Sequence, residues 1–221
     1  MSVSDKSSGR AKWKPPKKGT YHHGNLRRVL LDSALAMVEK EGPHGVSLRA
    51  VARLAGVSPA APYRHFSGKE GLLTAVAEEG FRALEQKMES ASQATRGFAL
   101  AEFRAIGFAY VHFAARNPSH FCVMFSPEVS NKSECPSLRE AADRASQTIF
   151  DAIANYQRPG LEGGDTDPQQ LFVSAWSAFH GLATLIVGGH LESSVGSDAE
   201  LEALGNSVTD VLCRGLSFSG P

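Results

Sequence analysis

The sequence predicts an all-α chain, and three observations carry that prediction. Apolar residues recur at three- and four-residue steps along most of its length. Helix-start devices punctuate it: Ser-x-x-Glu at 67–70, 137–140 and 197–200, and Asp167-Pro168. No stretch alternates apolar and polar residues between hairpin turns. With 42% hydrophobic residues in a chain of 221, there is enough apolar material to fill a core.

The elements follow in order. Residues 1–20 are rich in Ser, Lys, Pro and Gly with a single Trp13, a composition too poor in apolar groups to order itself, so a disordered basic arm is expected there. Leu26, Val29, Leu30, Ala34, Met37 and Val38 share one helical face, predicting a helix from Asn25 to Glu41 that Gly42-Pro43 ends. Ser47 is placed to cap a short helix with Leu48, Val51, Ala52 and Ala55 on one face, and Gly56 supplies a left-handed stop. Ser58 is then expected to cap a third helix with Pro59 at its first position, where a missing N–H costs nothing. Pro62 stands at its fourth position and should remove one bond at most. Ser67 and Glu70 form an expected capping box for a fourth helix reaching about Ser90.

Further helices are predicted over 98–116, 118–125, 138–156, 169–191 and 198–216, with loops at 126–136 and 158–167. The most apolar stretch, 172–189, is interrupted by Ser, His and Gly. It reads as a buried or interface helix, too short and too mixed to span a bilayer. No apolar run directly follows the basic N-terminus, so no signal peptide is expected. Cys122, Cys135 and Cys213 are odd in number and lack Cys-x-x-Cys spacing, which points away from a disulfide framework or a zinc site and toward a reducing cytoplasm.

The net charge of zero hides a gradient. Residues 1–71 carry thirteen Lys or Arg against five acids, a balance of +8, and the remaining 150 residues carry ten against eighteen, or −8. A basic end on an acidic body suits a polyanionic partner, although a basic tail that only aids solubility would give part of the same signal. No phosphate loop, His-Glu-x-x-His or nucleophile elbow is present, so no enzyme chemistry is indicated. The histidines, including the pair His22-His23, lack ligand spacing, and neither a metal nor another cofactor is expected.

Two short helices joined by Gly56-Val57-Ser58 form a candidate helix-turn-helix. An ordinary helical hairpin would have the same turn, but the second helix's surface is distinctive. Pro59, Ala60 and Ala61 leave its tip nearly bare, and Tyr63, Arg64, His65 and Lys69 surround that tip with phosphate-seeking groups. A segment entering a major groove about 12 Å wide needs small side chains at closest approach and flanking donors for the backbones. Arg64 could bond a guanine edge or a phosphate, and both roles stay open. Arg49, early in the preceding helix, would lie near a backbone. Lys12, Lys14, Lys17 and Lys18 of the arm could follow the minor groove or act as a solvated tail.

The stretch SLRAVARLAGVSPAAPYRHFSGKEGLL, within a match over residues 20–72, resembles the DNA-binding segment of the TetR family of bacterial transcriptional regulators. The resemblance implies that Tyr63, His65 and Lys69 hold phosphates and that Pro59, Ala60, Ala61 and Arg64 read bases, with Ser58 at the head of that helix. Family members usually carry an aliphatic residue where Pro62 stands. WSAFHG, 176–181, resembles the Trp-x-x-x-His-Gly signature of a C-terminal domain in one subgroup of these regulators. That implies a helical, dimer-forming, inducer-binding body.

Apolar walls with a few polar groups make a ligand site, and Phe103, Tyr110, Met124, Trp176 and His180 could supply both, while His180 could equally be a satisfied core histidine. Helices 169–191 and 198–216 are apolar on more than one face, through Leu182 and Leu212 among others, and a symmetric dimer pairing them would bury the excess. The fold expected is therefore all-α, with a three-helix helix-turn-helix domain at 21–72 behind the arm of 1–20 and a helical ligand-binding and dimerisation domain at 73–221. The function expected is a cytoplasmic, homodimeric, ligand-responsive regulator of a palindromic double-stranded DNA operator, most simply a repressor. Its rivals are a DNA-binding dimer without an inducer and a helical small-molecule carrier with a basic head.

Overall fold

The computed structural model describes residues 26–129, 135–156, 167–191 and 196–217, with side chains up to residue 213. The basic arm, its Trp13, the pair His22-His23 and much of both long loops lie outside the described residues. Among those residues the chain is entirely helical: α1 Leu26–Glu41, α2 Leu48–Ala55, α3 Lys69–Ala94, α4 Ala99–Arg116, α5 Pro118–Met124, α6 Pro136–Tyr156, α7 Pro168–Val187 and α8 Asp198–Ser217. Short 3-10 turns occupy Pro43–Gly45, Pro62–Arg64 and Pro127–Val129.

α1 and α2 bury most of their predicted faces, including Leu30, Ala34, Met37, Val38, Leu48, Val51 and Ala52, with Leu26 and Val29 half-buried and Leu31, which the expected face left out, buried as well. The cap at Ser47 forms as expected, its hydroxyl accepting from the Ala50 N–H at 3.3 Å. Gly56 closes α2 in the left-handed region at φ 71°, and the Val57 N–H returns to Ala52 O at 2.9 Å. The long α3 leaves this head and becomes the spine of the body, packed by α4, α5 and α6. α4 in turn carries α7 and α8. Gly107 lets α7 come close, since a Cβ there would meet the Phe179 ring at 2.4 Å.

Three start devices behave differently. The Ser197-Glu200 box forms: the Glu200 N–H donates to the Ser197 hydroxyl at 3.3 Å, and that hydroxyl donates to the Glu200 carboxylate at 3.1 Å. At 67–70 the expected box does not form, because Gly68 and not Ser67 is the cap residue and no side chain caps α3. Ser137 lies inside α6, which starts at Pro136, and its hydroxyl donates to Glu78 of α3 at 3.0 Å. At Ser137 a tertiary partner overrides the local pattern.

α7 stops at Val187, short of the expected Leu191, because Gly188 and Gly189 follow and Gly189 turns left-handed at φ 75°. At twenty residues α7 is long and apolar enough, by length and composition alone, to cross a membrane, which corrects the reading that it was too short. α4, α6 and α8 pack against it.

Candidate nucleic-acid interface

The expected third helix does not exist as an α-helix. An α-helix from Ser58 would need residue 62 to donate to Ser58 O, and Pro62 has no N–H. The chain instead makes a turn, Ala61 N–H to Ser58 O at 3.0 Å, and then a 3-10 turn over Pro62–Arg64, with His65 N–H to Pro62 O at 2.9 Å. The residue capping that turn is Ala61 and not the expected Ser58, and no side chain caps it. Pro62 and Phe66 are buried and pin this segment to the head.

What faces outward is the expected set of groups on a different scaffold. Ser58, Pro59 and Ala60 are exposed and Ala61 is half-buried, leaving a low surface. Tyr63 is 58% exposed beside it, and Arg64, His65 and Arg49 are exposed. Arg27, which sequence reasoning passed over, lies with its guanidinium 5.6 Å from the centroid of the Phe66 ring. It brings a further cation to this side of the head, and no motif marks it.

Lys69, the first residue of α3, is held from two directions. Its ammonium donates to His44 O at 2.9 Å and lies 2.9 Å from the Glu128 carboxylate, while His44 Nδ1 is 2.7 Å from the other Glu128 oxygen. The Lys69 ammonium, by hydrogen bond first and by charge, keeps the Glu128 carboxyl below its ordinary range. Glu128 sits on the 3-10 turn after α5, eighty-four residues from His44, and no sequence signal links them. A second tie joins head and body: Arg28 of α1 reaches Asp32 at 2.8 Å and Glu79 of α3 at 2.7 Å. Glu79 also lies 3.4 Å from His120 of α5, whose burial lowers its pKa.

The five expected ligand residues are brought together in part. Tyr110 O–H and His180 Nδ1 are 2.9 Å apart, and Trp176 Nε1 donates to the same hydroxyl at 3.4 Å. Burial pushes the Tyr110 phenol far up, so it stays protonated. Phe121 and Phe125 close on His180 with ring centroids at 5.3 and 4.4 Å. Phe103 packs instead on Phe179 and Tyr156, and Met124 lies against Gly80. Of the five, Trp176 reaches furthest into solvent, at 39% exposed. A groove of about 440 Å3 lies elsewhere, between the end of α3, α4 and α8.

The faces of α7 and α8 sort the apolar residues that the sequence left undivided. Leu171, Phe179, Leu182 and Leu201 are buried, whereas Val173, Leu185 and Val211 join Trp176 as exposed apolar groups. Leu182 is therefore core within one chain.

Residues 30–76 match the family of bacterial regulatory proteins called tetR, and residues 103–211 match the tetracyclin repressor-like C-terminal domain. Over 98 residues the chain is 28% identical to YobS of Bacillus subtilis, an uncharacterized HTH-type transcriptional regulator, covering 44% of this chain and 50% of that protein. Over 141 residues it is 30% identical to the HTH-type transcriptional regulator Rv1816 of Mycobacterium tuberculosis, covering 63% of this chain and 55% of that protein. The chain thus spans about half the length of these curated relatives.

Among solved structures, a protein of unknown function from Rhodococcus sp. RHA1 matches with TM-score 0.72 and 35% identity over 90% of this chain and all of that one. FadR of Bacillus subtilis, solved with stearoyl-CoA, shares the fold with TM-score 0.69 at 18% identity over 85% of this chain and 98% of that one. The curated relatives are transcriptional regulators and not enzymes. With both of its halves matched to one family and its helices arranged as in that family's structures, the chain belongs to the TetR family of bacterial regulatory proteins.

Proposed function

We propose that the protein is a transcriptional repressor that binds a palindromic DNA operator as a symmetric dimer, acting in the cytoplasm where that DNA lies and responding to a small ligand. The observation that carries the reading is the exposed group Arg49, Tyr63, Arg64 and His65 around the bare Pro59-Ala60 surface. A low centre enters a groove, and flanking donors grip the strands on either side. In this reading residues 21–72 are the DNA-binding unit and 73–221 the body, with Lys69 at the phosphate nearest α3.

Support for the dimer comes from Val173, Trp176 and Leu185 on α7 and Val211 on α8, large apolar groups left exposed by one chain. To enter successive major grooves, the two heads of a dimer paired through these helices must sit about 34 Å apart. Trp176, His180 and Gly181 also stand together on α7, in keeping with the Trp-x-x-x-His-Gly subgroup.

The close packing around His180 favours a second reading for that cluster, as a structural core and not a ligand site, with any ligand held elsewhere. Measuring affinity for a random DNA duplex as salt rises tests the central reading. A steep fall in affinity is expected, since phosphate contacts release counterions. No DNA binding at low salt would end it.

A further inference from the structure

The contact at Glu128 ties the body to the head through one carboxylate shared between two donors. Its Oε2 lies 2.9 Å from the Lys69 ammonium and its Oε1 2.7 Å from His44 Nδ1. A DNA phosphate offers a pair of donors the same arrangement, two anionic oxygens that each accept a charge-assisted bond. The arrangement is also open to replacement, because the Lys69 and Glu128 side chains are 31% and 29% exposed. A strand that reaches the head can meet the same ammonium.

The turn that presents Glu128 is stapled to α5. Ser126 N–H donates to Val123 O at 3.1 Å, and the Val129 and Glu128 N–H groups donate to Ser126 O and Oγ, each at 3.1 Å. Val129 is buried, so the turn follows α5 as one piece. Phe121 of α5, and Phe125 just past its end, pack on His180 of α7. One short helix therefore rests on the body's aromatic cluster and ends in the hold on Lys69.

We propose that Glu128 is an internal stand-in for a DNA phosphate, occupying Lys69 in the free chain, displaced when the strand arrives, and held in place through α5 by the packing around His180. The inference rests on the reading of Lys69 as a phosphate contact of a DNA-binding regulator, and it supplies the regulation of that contact. Lys69 has one ammonium, so a firmer hold by Glu128 leaves less of it for DNA. Repacking around His180 shifts α5, moves the carboxylate relative to Lys69 and changes DNA affinity without any change in the head's own residues. By linkage, DNA bound at Lys69 loosens the turn by the same factor. An exposed ion pair is a small lever, so the effect per head is a few-fold.

Duplex affinity of the full chain at fixed low salt tests this. Glu128→Gln keeps the shape of the side chain and should tighten binding about threefold to fivefold. Glu70→Gln removes the same charge from the exposed residue beside Lys69 and should change affinity by less than about twofold. Phe125→Leu and Phe121→Leu keep the cluster apolar while taking a ring from His180. At least one should tighten binding in the otherwise unchanged chain, and neither should do so in the Glu128→Gln background. Hydrogen exchange needs no variant: the amides of Ser126, Glu128 and Val129 should exchange faster once duplex is bound.

Equal gains from Glu128→Gln and Glu70→Gln would make Glu128 one negative charge among others and overturn the proposal. So would ring variants that leave affinity unchanged, or that raise it as much in the Glu128→Gln background, and so would unchanged exchange in the turn. Salt-sensitive duplex binding with equal gains removes the stand-in and leaves the regulator reading, whereas no duplex binding by any variant removes that reading and the proposal with it.

Discussion

The head and the outer face of α7–α8 are both exposed, yet they are built in opposite ways. The head shows small residues and donors: Pro59 and Ala60 low, with Tyr63, Arg64 and His65 beside them. The α7–α8 face shows apolar bulk, with Val211 67% exposed and Leu185 45%. A polyanion is met by the first through charge and hydrogen bonds, and its attraction falls with salt. In the proposed dimer a second copy of the chain would meet the second through area removed from water, which salt barely weakens. In the proposed reading the contrast separates the surface that would meet DNA from the surface that would pair two chains.

The strongest way to break that contrast is to charge the apolar face. Leu185→Asp with Val211→Asp should yield monomers in sedimentation equilibrium while leaving the fold intact, because both side chains are exposed. Dimers surviving that change would place the interface elsewhere. Leu182→Asp is a poorer probe, since Leu182 is buried and its replacement would unfold the body. Inside the body, Gly107→Val would push the Phe179 ring from its seat and should cost roughly 1–3 kcal/mol in urea unfolding, with DNA contacts untouched in whatever stays folded.

On the head, Tyr63→Phe and Arg64→Ala should each weaken duplex binding, on the order of tenfold for Arg64→Ala. A loss for Arg64→Ala that is equal on every operator variant would assign it to a phosphate and exclude base reading. Glu128→Gln sharpens the comparison from the body's side. Freed of its carboxylate partner, Lys69 should bind DNA more tightly by a few-fold, and the gain should vanish in a Lys69→Ala background.

Glu128 also sets a pH dependence with a definite sign. Its carboxyl is held below the ordinary range by Lys69, so the contact persists as pH falls through that range and is lost only on passing the lowered value. The contribution is present above the unfolded pKa. A titration of the Glu128 carboxyl carbon by NMR checks this, and an ordinary midpoint would contradict the contact.

Much of this was legible in residue spacing. The faces of α1 and α2, the Ser47 cap and the Gly56 stop follow from local chemistry, and so they survive in the structure. Pro62 was weighed as one missing bond, but a segment this short has too few other bonds to hold an α-helix around it, and a 3-10 turn resulted. The Ser137 box failed because Glu78 of α3 outcompeted the local partner, and at 67–70 Gly68 instead of Ser67 became the cap residue. His44 and Glu128 stayed hidden because a distant contact joins them and a residue in a connecting turn has no period, and Arg27 because only its approach to the distant Phe66 ring distinguishes it from the other charged residues of α1. The division of α7 and α8 into inner and outer faces likewise needed α4 in place to decide which side was covered.

Hydrogen exchange of the free chain and of the chain on duplex DNA tests the central claim most directly. The account predicts that the non-proline amides from Val57 to Lys69 gain protection on binding, while the outer faces of α7 and α8 do not change. Unchanged exchange across that turn, with DNA bound and protection appearing on the body instead, would contradict it.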